Sequence, residues 1–105
     1  MEVVFHAHKA EVSDHMRRRA EQALRKVARR AKRPVDAAIR FQQDGVLRRV
    51  ELTLHTSNGR RYVARSEDRF FGTALATAAR RLAMQLDRTK RTPKARARKL
   101  RAGAA

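Results

Sequence analysis

The sequence has no cysteine, no tryptophan, a single tyrosine and only two prolines. Without cysteine there is neither a disulfide framework nor a thiolate zinc site, which fits a reducing compartment. Scarce aromatics argue against a platform on which nucleobases stack. No run approaches the roughly 20 apolar residues of a membrane span, and the N-terminus opens into an alternating pattern instead of a signal peptide, so a soluble, intracellular protein is expected. Gly-rich phosphate loops, nucleophile–base pairs and close carboxylate pairs are missing as well. The chain is therefore expected to be no enzyme, with no cofactor, no metal and no small-molecule substrate. Acidic residues are the last scarcity: 10, against 27 lysines and arginines.

That imbalance sets the function class. A formal charge of +17 on 105 residues repels itself on folding, and such a balance is tolerated where a polyanion screens it. Arginine outnumbers lysine 21 to 6. The planar guanidinium suits bidentate phosphate contact, although a GC-rich coding sequence would raise the same ratio. An apolar content of 42% fills one modest core, so a single domain is expected.

Periodicity orders the elements. Glu2 to His8 alternate with a period of two, Val3, Phe5 and Ala7 on one side, as in a half-buried strand. Ser13 or Asp14 caps a helix in which Met16, Ala20, Ala23, Leu24, Val27 and Ala31 recur at spacings of three and four, with Pro34 as its stop. Opposite that apolar arc lie Arg18, Arg19, Arg25, Lys26, Arg29, Arg30 and Arg33. Three strands follow, marked by Val35-Ala37-Ile39-Phe41, Val50-Leu52-Leu54 and Tyr62-Ala64, with turns at Asp44-Gly45 and Asn58-Gly59. Ser66 or Asp68 is positioned to cap a second helix with the stripe Phe71, Leu75, Ala78, Ala79, Leu82 and Leu86, and its other flank carries Arg80, Arg81, Arg88 and Arg91. Gly72 weakens the first turn of that helix.

The order predicts an α+β fold, β-α-β-β-β-α. Its four-stranded mixed sheet has two helices packed on one face, the first two strands parallel because a helix crosses between them. The opposite sheet face, with His6, His8, Arg40, Arg49, Glu51, Thr53 and Arg65, is polar enough to meet water. Residues 1–91 form the domain. Residues 92–105, where Pro93 interrupts the helix, form a basic tail expected to be disordered when free. Beyond Asp87 there are eight basic residues and no acid, so positions 1 to 87 alone still carry about +9.

Residues 17 to 33 hold nine basic side chains and one acid, Glu21, whereas a merely soluble helix face mixes signs. RNA is preferred over DNA because no helix N-terminus offers residues for base edges in the major groove. The topology without its first strand is close to a double-stranded-RNA-binding domain, the alternative reading, but that domain's paired basic motif is absent. His6 and His8 share a strand face, yet no third ligand completes a metal shell there. Glu67-Asp68 is better suited to a helix start than to acid–base chemistry.

The chain also resembles the ribosome hibernation promoting factor and ribosome-associated inhibitor family over roughly residues 2 to 91. The likeness is carried by His8-Lys9-Ala10-Glu11-Val12-Ser13 before the first helix, by Val50-Glu51-Leu52-Thr53-Leu54-His55 with Asn58-Gly59, and by Ser66-Glu67-Asp68. It closes on Arg81-Leu82-Ala83-Met84-Gln85-Leu86. The resemblance implies a short-form, cytoplasmic factor, monomeric when free, that contacts 16S rRNA of the small ribosomal subunit in the mRNA and tRNA channel and blocks translation under stress or in stationary phase. It carries the family's basic positions onto Arg18, Arg25, Arg29, Arg81, Arg88 and Lys90, with Lys9 in a turn near RNA. Phe70-Phe71-Gly72-Thr73 stands where the family usually has a tyrosine followed by small and acidic residues, which leaves Arg80 and Arg81 both open. The candidate RNA-binding set is therefore Lys9, Arg18, Arg25, Arg29, Arg33, Arg80, Arg81, Arg88, Lys90 and Arg91.

Overall fold

Alternation gives each strand one apolar face, and the hydrogen-bonding register decides whether those faces coincide. In the computed structural model, which describes the backbone of residues 1–104 and the side chains of residues 1–89, they do. The elements run β1 (Glu2–His8), α1 (Asp14–Ala28), β2 (Pro34–Asp44), β3 (Leu47–Thr56), β4 (Arg61–Asp68) and α2 (Phe71–Ala104). The sheet order is β1-β2-β3-β4. β1 is parallel to β2, and the other neighbours are antiparallel. The register lines up Val3, Ala37, Leu54 and Tyr62 in one row, and Phe5, Ile39, Leu52 and Ala64 in the next. Each row is one layer of the core.

The helices close that core from one side. Ala20, Leu24, Val27 and Ala28 of α1 and Phe71, Ala74, Leu75, Ala78, Leu82 and Leu86 of α2 are buried with the strand residues in a single cluster. Phe41, Leu24, Ile39, Leu52, Leu54, Leu82 and Val50 are its largest fully buried members, each contributing roughly 1.5–3 kcal/mol by leaving water. Phe41 meets Phe71 edge-on, centroids 5.4 Å apart, the arrangement ring quadrupoles favour. A Cβ added at Gly72 would lie 3.4 Å from Arg19 Nη1. At the far ends Arg30 Nη1 reaches Asp87 Oδ2 at 3.0 Å. The two helices therefore run side by side in the same direction, α1 lying along the first half of α2.

Several local expectations are corrected. α1 ends at Ala28, not at Pro34. Arg30 and Ala31 N–H groups turn back to Val27 and Ala28 carbonyls, and Arg33 adopts φ +51°. Proline disfavours helical backbone before it, so the chain tightens and unwinds early. Val35 is half exposed because the β2–β3 ladder is irregular between Pro34 and Asp36. The first hairpin turns on Gly45 and Val46 instead of Asp44-Gly45: Asp44 pairs with Leu47, and Gly45 at φ +61° supplies the first central residue of a II′-like turn. β4 extends to Asp68, so Ser66 is a strand residue and not a cap, while Asp68 Oδ1 accepts the Phe70 N–H at 3.3 Å. α2 is continuous past Pro93, where an interruption was expected; proline removes one helical hydrogen bond and can bend a helix without ending it. Thr53, expected on the wet face, is buried between Ala38 and Val63 of the neighbouring strands. Among the described residues no helix is long and apolar enough to cross a membrane.

Candidate nucleic-acid interface

On α1, Ser13 accepts the Met16 N–H at 3.1 Å and fixes where the helix begins, hence which way each later side chain points. At 100° per residue Arg18, Arg25 and Arg29 fall within about 40° of one another. Arg25 donates to the Met1 carbonyl at 3.3 Å and lies 3.7 Å from Glu21, which turns this stripe toward the β1 side. Arg19, Lys26 and Arg30 form a second stripe toward α2, anchored by the Arg30–Asp87 pair. All six are exposed.

On α2 the cations part ways. Arg81 donates to the Arg65 carbonyl at 2.7 Å and Gln85 to the Val63 carbonyl at 2.6 Å, so this flank of the helix covers the outer edge of β4. Arg80 is one residue and 100° further round and exposed. Arg88 is exposed too. Lys9 lies apart from the stripes. It adopts φ +50° in the loop before α1, at the end where both helices start, and lines an open cleft of about 1060 Å³ with Ser13, Gln43, Arg48 and Phe71. Arg48 donates to the Arg69 carbonyl and holds its guanidinium 5.7 Å from the Phe71 ring centroid. Arg33 sits at the opposite end, in the loop past α1 and not on the helix. The side chains of Lys90 and Arg91 lie outside those described. The structure thus gathers Arg18, Arg25, Arg29 and Arg80 on the helix layer and disperses Lys9, Arg33 and Arg81 to its margins.

Charge is partitioned between the two sides of the fold. Residues 14–33 and 71–89 carry twelve basic and three acidic side chains. The sheet's outer face balances Arg40, Arg49, Arg61 and Arg65 against Glu2, Asp36, Glu51 and Glu67, all at outward register positions. There Arg49 pairs with Glu67 at 3.0 Å and His55 Nδ1 with Asp36 at 2.6 Å. This partition was missed from the sequence, although strand parity carries it: the four acids all sit at polar positions of the alternation. Among the described residues, no group of three or more His, Cys, Asp or Glu gathers as a metal site. Chemically, the helix layer can neutralise phosphates at many points.

A family model described as Sigma 54 modulation protein / S30EA ribosomal protein matches residues 3–94. No curated protein sequence matches the chain. Among solved structures, the fold is similar to a ribosomal subunit interface protein from Coxiella burnetii, with TM-score 0.76 and 16% identity over 86% of this chain and 98% of that one. It is also similar to the N-terminal domain of Thermus thermophilus Protein Y, with TM-score 0.74 and 22% identity over 85% and 99%. At these identities the structural likeness is one of fold.

Proposed function

The chain belongs to the Sigma 54 modulation protein / S30EA ribosomal protein family, and from that premise we propose that it is a cytoplasmic ribosome hibernation factor. In this reading it lays its helix layer on 16S rRNA in the mRNA and tRNA channel of the small subunit and inhibits translation by occupying that space. The observation that supports it is the one-sided charge: twelve basic side chains on the helix layer against three acidic, beside an outer sheet face on which arginines and acids balance. A surface of that kind reads the backbone and shape of folded RNA, with no need of base edges.

The test is co-sedimentation with purified small subunits across a salt series, alongside translation in a reconstituted extract. Binding should weaken steeply with salt, each neutralised phosphate adding roughly 0.7–0.9 to the slope of log affinity against log salt. Replacing Arg18, Arg25 and Arg29 together by alanine should lower both affinity and inhibition. Free duplex RNA should compete poorly. Small subunits left unbound at low salt, or a preference for free duplex, would overturn the proposal.

A further inference from the structure

The outer sheet face is balanced in sum but not in detail. Register places Arg40, Glu51 and Arg65 in one row across β2, β3 and β4, with Gln42, Arg49 and Glu67 in the adjacent row. Glu51 is flanked by two arginines, yet neither approaches within ion-pair distance of it; among the described residues Arg40 and Arg65 have no bonded side-chain partner. A cavity of about 130 Å³ opens between Arg40, Gln42, Arg49, Glu51 and Arg65. A second of about 410 Å³ lies at the strand edge between Arg49, Arg65, Ser66, Glu67 and Arg81. Arg49 and Arg65 line both, so the two form one basin.

The basin holds four guanidiniums and two carboxylates. Arg81 reaches it from α2, its Nη1 on the Arg65 carbonyl. Arg49 spends Nη2 on Glu67. Each guanidinium has five N–H donors, so both keep spare ones, and Arg40 and Arg65 keep all of theirs. Their stems rise from adjacent strands of a hydrogen-bonded sheet, which holds them in place before any ligand arrives. Arg49 closes onto its cross-strand acid Glu67, whereas Arg40 and Arg65 do not close onto Glu51 and keep their donors turned to solvent.

We propose that this basin is a second phosphate-binding site, which takes the backbone of RNA passing round the β4 edge, so that the grip on RNA extends from the helix layer through Arg81 to Arg65, Arg49 and Arg40. The inference rests on the ribosomal reading above and adds a site to it. Glu51 has a defined part: it opposes phosphate entry, so its removal should strengthen binding. A merely structural network predicts no such gain.

The experiment compares small-subunit binding over a salt series for the unaltered chain, the pair Arg40→Ala/Arg65→Ala, Glu51→Gln, and the triple Arg18→Ala/Arg25→Ala/Arg29→Ala, with thermal melts as a check on folding. The pair should bind more weakly and lower the slope of log affinity against log salt by roughly 1.4–1.8, two phosphates' worth. Glu51→Gln should bind roughly two- to fivefold more tightly, the range for one exposed charge interaction. Wild-type affinity and slope in the pair, or no gain in Glu51→Gln, overturns the basin. If the triple weakens while the pair does not, the basin alone is refuted and the ribosomal reading stands; no binding by the unaltered chain refutes both.

Discussion

Two side chains of opposite chemistry show how single residues hold this fold. Phe41 is 1% exposed and meets Phe71 edge-on beneath both helices. Truncation to alanine should cost about 3–5 kcal/mol, transfer and cavity terms together. Ser13 lies at the surface and satisfies one N–H at the start of α1; its replacement by alanine should cost only about 1 kcal/mol. Urea titrations of the two variants should show this ordering without a change in slope, because neither alters the surface exposed on unfolding by much. Both roles are legible in the sequence: Ser13 is a capping residue type directly before a period of three and four, and Phe41 sits at an inward position of an alternating run. What Arg81 touches is not legible. Its bond to the Arg65 carbonyl depends on how α2 lies over β4, a distance of sixteen residues that no local pattern encodes.

At the scale of elements, α2 serves two neighbours at once. Its apolar stripe fills the core, and Arg81 and Gln85 bond carbonyls on the outer edge of β4, an edge that would otherwise invite another strand. Adjacent arginines should therefore behave differently. Arg80→Ala should lower affinity for small subunits and leave the melting temperature unchanged. Arg81→Ala should lower both, the stability by about 1 kcal/mol, with faster amide exchange along β4 as the local signature. The order of the six elements was readable because periods of 2 and 3.6 are distinct over seven or more residues. Their ends were not. α1 stops at Ala28 because its last turn tightens before Pro34, and β4 continues to Asp68 because Arg48 and Arg49 extend the pairing to Asp68 and Glu67. The first boundary is set by a local tightening that periodicity does not register, the second by partners distant in sequence.

Taken as a whole, the molecule folds against its own charge. Six of the nine basic side chains of residues 17–33 lie on α1 or at its C-cap and are crowded onto one layer of the structure, with Glu21 the one acid of that stretch. Moderate salt should therefore raise the melting temperature of the free protein, since screening relieves repulsion between exposed cations a few ångströms to about 10 Å apart. Calorimetry at low and at physiological ionic strength checks this, and a melting temperature that falls with salt would mean that attractive pairs such as Arg30–Asp87 outweigh the repulsion. The same partition has a consequence for how the protein travels. With positive charge on one layer and near balance on the other, residues 1–89 carry a large electric dipole directed through the thickness of the fold. Near a polyanionic wall it experiences a torque as well as an attraction, and turns before it touches. On the proposed reading, approach to RNA is then helices first, the angular search largely completed in solution, and the proposed contacts at the β4 edge, too local to be felt from afar, form only after landing.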